Sequence, residues 1–197
     1  RLMTPFIRQA GLDKAGSKYQ GWTTTHPSFP NWGLDSWSLE GHVGGHYLTA
    51  LAMAYSAISD ENLRGQLKDR LDYCITILND CQEAFDDNSN GLKGFIGGQP
   101  INQIWTGLYA NDLTEFRKYG GWVPFYCEHK VLAGLRDAWI YAGNEMAREC
   151  FRKLCQWSAD VVSKLSYSDM QNVLGWEHGG RNEVLADAYH IFRDSKW

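Results

Sequence analysis

Long apolar runs and an excess of basic residues are both missing from this sequence. No run reaches the roughly 18–20 apolar residues that a membrane-spanning helix needs. The net charge is −4 at pH 7, so the chain as a whole lacks the basic character of nucleic-acid-binding proteins. We therefore expect neither a membrane nor a nucleic acid as partner. The first residues do not define a compartment, and a secreted or periplasmic location is favoured.

Cysteine pairs with metal-binding spacing are missing too. The five cysteines include no C-x-x-C motif, and their number is odd. Four of them fall on two predicted helices, Cys74 with Cys81 and Cys150 with Cys155. Buried free thiols that act as small hydrophobic side chains are the simplest interpretation. Cys127 differs because Glu128 and His129 follow it directly, but Cys-x-His is a weak metal-binding signal.

The chain is long enough for one domain with a sizeable core. It has 197 residues, of which 44% are hydrophobic. We expect a single domain over residues 1–197, with an irregular, aromatic-rich lead-in over residues 1–40. Several of the nine tryptophans, including Trp22 and Trp176, lie outside the helical runs. Tryptophan in such segments is typical of a cleft that stacks on a ligand ring, and also of ordinary loop packing.

Three segments share one layout. In each, a histidine-bearing loop leads into a strongly apolar helix, which ends in a tight polar turn. The spacing from the histidine to the polar residue of that turn is 14, 15 and 16 residues, for His46 to Asp60, His129 to Asn144 and His178 to Asp194. The first two units continue into an amphipathic helix. The pattern indicates a divergent repeat of helical hairpins.

Alternating apolar and amphipathic helices predict an all-α fold of the α/α toroid type. The apolar helices would form the inner ring, and all of them would start at the same face. The three histidine loops are therefore expected to converge there. The third unit ends at Trp197 without its outer helix, so we expect about half of a toroid, with the other half as its partner.

The converging loops offer groups for more than one kind of chemistry. Imidazoles, carboxylates and amides can bind sugar hydroxyls, and two carboxylates can hydrolyse a glycoside. Cys127 and His129 with a further histidine could hold a metal, and each histidine could simply satisfy buried loop carbonyls. The glycines of residues 41–45 match neither a P-loop nor a dinucleotide-binding fingerprint, which excludes a phosphate site.

Three blocks together resemble a known family. They are Glu40-Gly41-His42-x-x-Gly45-His46-Tyr47-Leu48, Trp122-Val123-Pro124-x-Tyr126-x-x-His129-Lys130 and Glu177-His178-Gly179-Gly180-x-Asn182-Glu183. In this order they are similar to the N-terminal half of the catalytic barrel in the beta-L-arabinofuranosidase family, glycoside hydrolase family 127 with its relative family 146.

The resemblance implies a six-hairpin (α/α)6 barrel, of which this chain holds about half, and the release of L-arabinofuranose or a related sugar. It also implies a cysteine thiolate as nucleophile in a zinc site, with a glutamate as acid/base. We find no counterpart of those motifs here, so the catalytic groups and the zinc are expected outside this chain. The sugar-binding side carries over to His178 and His129, then to His46, His42 and Glu177.

Two other functions stay open. A cofactor-independent sugar epimerase or a carboxylate-pair hydrolase on the same toroid would use His129 and His178, or Glu177 with another acid, as acid/base groups. A helical-repeat binding module without chemistry would instead present a continuous groove. The missing half of the barrel could belong to the same protein or to a second chain.

Overall fold

The computed structural model describes residues 1–29, 39–119, 123–175 and 179–197. Over these ranges the chain is all-helical, with ten helices and no strand, as predicted. None of the described helices is long and apolar enough to cross a membrane. The helices are α1 (Thr4–Gln9), α2 (Trp22–Thr25), α3 (His42–Ala57), α4 (Glu61–Glu83), α5 (Asn102–Tyr109), α6 (Thr114–Tyr119), α7 (Pro124–Ala142), α8 (Glu145–Val162), α9 (Tyr167–Leu174) and α10 (Gly180–Phe192).

Two helical hairpins, α3 with α4 and α7 with α8, match the predicted repeat units. The polar turn of each hairpin caps its second helix. The Asp60 side chain accepts from the Leu63 N–H at 2.9 Å, and the Asn144 side chain accepts from the Ala147 N–H at 2.7 Å. Sequence signals that end one helix therefore also start the next.

The three apolar helices α3, α7 and α10 run parallel, with α7 in the middle. On one side, Gly45 lies against Lys130, and Thr49 donates to Asp137 at 2.7 Å. On the other side, His129 of α7 lies against Gly180 of α10, and Arg136 pairs with Asp187 further along the same two helices. Residue numbers therefore increase in the same direction along both helices. The three helices start at one face, as the repeat predicts. Their closure into a toroid stays a prediction.

The segment between the hairpins is packed rather than loose. Its aromatic residues form one cluster with the hairpin helices: ring centroids lie 4.8 Å apart for Phe95 and Trp157 and 5.4 Å apart for Trp105 and Phe125. The Trp157 indole donates to the Gly91 carbonyl at 2.8 Å. The segment contains two short helices, α5 and α6. The first of these, α5, was not predicted; its burial through Trp105 comes from tertiary contacts.

The lead-in differs from an irregular segment at α1 and α2. Pro5 starts α1, since its fixed backbone suits the first helical turn. Phe6 is 1% exposed and packs beside Gly44 of α3, so α1 belongs to the core. Residues 30–38 of the predicted lead-in lie outside the described ranges.

All five cysteines are buried and none is in a disulfide, as predicted. Burial raises the pKa of the Cys74 thiol to about 11 and that of Cys150 to about 12. The pKa values of Cys81 and Cys155 rise further for the same reason. Cys127 lies in the first turn of α7.

Candidate functional site

The starts of α3 and α7 bring an aromatic side chain between two histidines. The Nε2 atom of His46 lies 3.4 Å from the Tyr126 hydroxyl. The ring centroid of His42 lies 5.7 Å from that of Tyr126 and 6.0 Å from that of His46. His46 is exposed, whereas His42 is 8% exposed.

His42, His46 and His129 lie on helices rather than in loops, which corrects the sequence prediction for these three residues. Gly41, with φ +102°, lets α3 begin at His42, and Pro124 starts α7 before His129 is reached. The backbone of Gly98 packs against Gly41 at this point. The Leu39 carbonyl oxygen contacts Nδ1 of His42, which fixes that ring from behind.

His129 lies in the second turn of α7 and faces the first turn of α10. It is 8% exposed. A Cβ atom on Gly180 would come within 2.5 Å of its Nδ1, so the ring packs directly on the α10 backbone. Its Nε2 lies 4.0 Å from Oε2 of Glu183. His129 thus lies between two helices of the candidate site.

Burial and one lysine lower the pKa values of His46 and His129. Burial lowers the pKa of His46, and the nearby charge of Lys130 lowers it further. Burial and Lys130 also lower the pKa of His129, against an opposing effect of Glu183. The Lys130 ammonium lies 5.0 Å from the centre of the Tyr126 ring. A neutral imidazole carries one donor and one acceptor, which suits a sugar hydroxyl.

Arg136 joins α7 to α10 about two helical turns beyond His129. Its Nε donates to Asp137 at 2.9 Å, and its Nη1 contacts Glu183 at 3.3 Å and pairs with Asp187. The Arg136 side chain is only 16% exposed. Hydrogen bonds to these carboxylates raise the pKa of Arg136 despite its burial. Arg136 of α7 therefore positions the two carboxylates of α10 and balances their charge.

Glu128 is a buried acid next to His129, on the side of α7 that faces the core. It is 2% exposed, and its Oε2 has no hydrogen-bond partner. Its Oε1 lies so close to Gly97 that a Cβ there would come within 2.7 Å. Burial raises the pKa of Glu128 well above the ordinary value, and the charge of Arg181 opposes this only in part. Burial therefore favours the neutral form of Glu128.

A cavity of about 640 Å³ opens beside His129. The starts of α7 and α10 line it together with α9 and the end of α8. Most of its wall is apolar, with Val162, Leu174, Leu185 and Trp197 among the lining residues. Such a mixture of apolar wall and a few polar groups is typical of small-molecule sites.

Of the predicted sugar contacts, His42, His46 and His129 gather at the shared helix starts. Trp22 lies in the lead-in, where its indole donates to Thr4 at 3.1 Å and its ring stacks on His26 at 4.2 Å. One face and the N–H of Trp22 are thus engaged within the lead-in. The other three predicted contacts, Trp176, Glu177 and His178, lie outside the described residues.

Tyr126 and Arg136 are absent from the predicted site residues. Tyr126 precedes His129 by three positions and Lys130 by four, so helical spacing places it near both. That spacing was available in the sequence. The role of Arg136 depends on the register between α7 and α10, for which no local signal exists.

A zinc site does not fit the residues at hand. Throughout the described ranges, no group of three or more histidine, cysteine or acidic side chains could hold a metal ion. Zinc and nucleophilic catalysis both use the thiolate, whereas burial keeps Cys74, Cys81, Cys150 and Cys155 protonated. We therefore assign no metal-dependent step to the described residues.

Parallel apolar helices that gather imidazoles, a tyrosine and charged side chains at their starts are consistent with a helical glycosidase domain. A family model described as beta-L-arabinofuranosidase, GH127 catalytic domain, matches residues 1–197. The chain therefore belongs to this family, which confirms the resemblance found in the sequence. Family membership implies a glycoside hydrolase that acts on a carbohydrate. No curated protein matches the chain.

Proposed function

We propose that this chain supplies the sugar-binding side of a glycoside hydrolase that releases L-arabinofuranose or a related sugar. The observation that carries the proposal is the match of the whole chain to the family. Two contacts near the starts of the parallel helices support it, that of His46 with Tyr126 and that of His129 with Glu183. In this proposal the nucleophile, the acid/base and the zinc come from residues outside this chain, and His178, Glu177 and Trp176 are further sugar contacts.

Titration of methyl β-L-arabinofuranoside into the purified chain tests sugar binding. We expect saturable binding, and we expect His129→Ala and His46→Ala to weaken it about three- to tenfold, as for the loss of one hydrogen bond. His190→Ala is the matched control, because His190 is an exposed histidine in the last turn of α10. Equal affinity of all four proteins would contradict the proposal.

Turnover is a separate test. The proposal expects no hydrolysis of an aryl β-L-arabinofuranoside by the 197-residue chain alone. Hydrolysis that persists in the presence of a chelator would show that the catalytic groups lie within this chain and that the assignment of roles is wrong.

A further inference from the structure

Glu183 lies between a histidine of the candidate site and the arginine that joins the inner helices. Its Oε1 accepts from Arg136 Nη1 at 3.3 Å, and its Oε2 faces His129 Nε2 at 4.0 Å. The guanidinium thus fixes one carboxylate oxygen and leaves the other directed at the imidazole. Asp137 and Asp187 hold the guanidinium in turn.

One hydroxyl group could bridge the gap between the Glu183 carboxylate and the His129 imidazole. A distance of 4.0 Å is too long for a direct hydrogen bond. A hydroxyl oxygen placed about 2 Å to the side of the line that joins the two atoms would lie about 2.8 Å from each, which is an ordinary hydrogen-bond distance. The hydroxyl would donate to the carboxylate and accept from the imidazole N–H. Both hydrogen-bonding capacities of the hydroxyl are then used.

The gap is open on the side of the exposed Glu183 carboxylate. The Nδ1 edge of His129 is closed by the backbone of Gly180, so the Nε2 edge is the one that faces outward. His129 is 8% exposed, whereas the Glu183 side chain is 65% exposed. A ligand can therefore approach the gap from the Glu183 side while the buried imidazole forms its floor.

We propose that Glu183 is a specificity-determining residue that binds one sugar hydroxyl together with His129. The inference rests on the proposed function, because it takes His129 to lie at the sugar site. A sugar that lacks the hydroxyl at this position leaves the carboxylate and the imidazole without their shared partner. The pair therefore selects for a hydroxyl at one ring or side-chain position.

The test compares methyl β-L-arabinofuranoside with its single-deoxy analogues on the full 197-residue chain. Glu183→Ala is expected to weaken binding of the parent sugar about 10- to 100-fold, as for a hydrogen bond to a charged group. It is also expected to abolish discrimination against one of the deoxy analogues. Glu149→Ala is the matched control, since Glu149 is an exposed carboxylate that pairs with Arg152 on α8, outside the set around Arg136. It should retain that discrimination.

A second measurement does not depend on sugar. Imidazole NMR titration should show a lower pKa for His129 in Glu183→Gln, because Glu183 raises that pKa while Lys130 and Arg136 lower it. Glu183→Gln keeps the size of the side chain and serves if the alanine variant does not fold. An unchanged pKa of His129 would contradict the geometry on which the inference depends.

The outcomes separate the two proposals. If the unsubstituted chain binds the sugar and Glu183→Ala binds it equally well, the role of Glu183 is wrong and the proposed function stands. If the unsubstituted chain binds no sugar, the proposed function is wrong, and this inference with it. If Glu183→Ala loses the discrimination and the control variant keeps it, the result supports both the proposed function and the role of Glu183.

Discussion

Gly45 of α3 and Gly134 of α7 face each other so closely that a Cβ atom on Gly134 would lie 2.5 Å from the Gly45 carbonyl oxygen. A Cβ atom on Gly45 would lie 2.1 Å from the carbonyl oxygen of Lys130. The two helix backbones are therefore in direct contact near their starts. This contact brings His46 and Tyr126 within reach of each other, so the glycines set the width of the candidate site.

Alanine at Gly45 is expected to destabilise the fold strongly. The added methyl group would meet backbone, which cannot rotate away, and overpacking of a tight core costs about 1–3 kcal/mol or more. We expect a loss of at least about 3 kcal/mol in the free energy of unfolding, measured by urea denaturation with circular dichroism.

Gly65→Ala is the matched control for Gly45→Ala. Gly65 is an exposed glycine within α4, and nothing lies within 4 Å of a Cβ atom there. Alanine should stabilise this helix by about 0.5–1 kcal/mol. A Gly45→Ala protein as stable as the parent would show that α3 and α7 are further apart than described.

Gly180→Ala is expected to disturb the site more than the fold. The new methyl group would overlap the His129 ring, the nearest atom being Nδ1 at 2.5 Å, and a side chain can move where backbone cannot. We expect a shifted His129 imidazole resonance, weaker sugar binding of about threefold or more, and a loss of stability below about 2 kcal/mol. Unchanged His129 resonances and unchanged binding would contradict the contact between α7 and α10.

Local signals in the sequence were enough for the hairpins and for the shared face of the helix starts. Asp60 and Asn144 cap α4 and α8, and Pro124 begins α7, because caps and proline act on their own neighbourhood. The helix α5 was missed because it is short and owes its burial to distant aromatic residues. The pairing of Glu183 with His129 was missed because it depends on helix register.

Lys130→Met is expected to raise the pKa values of His46 and His129. The lysine charge lowers both, so its removal makes protonation easier, while burial continues to oppose it. Imidazole NMR titration measures the two pKa values separately. Lys164→Met is the control, since Lys164 lies over Tyr109, away from these histidines. A change at His46 without a change at His129 would mean that Lys130 faces only one of them.

The same histidines make stability depend on pH below neutrality. In the unfolded chain their pKa is close to the ordinary value of 6.5, and in the folded chain it is lower. As the pH falls below 6.5, the unfolded state binds protons that the folded state does not, and stability declines. Lys130→Met should reduce this decline. A steeper decline in the variant would contradict the sign of the lysine effect.

The parent protein is expected to lose stability as the pH rises because of Glu128, and Glu128→Gln is expected to lack this loss. The ordinary pKa of this acid is 4.5, and burial raises the pKa in the folded state well above that value. From about pH 4.5 upward, the unfolded state loses its proton first, so the parent protein loses stability as the pH rises until the folded pKa is reached. Glutamine stays neutral, and its variant lacks this slope. Urea denaturation from pH 5 to pH 8 measures the difference, with Glu61→Gln at the exposed start of α4 as control. Parallel stability profiles for the parent and Glu128→Gln would mean that Glu128 is ionised in the fold, with Arg181 as its counter-charge.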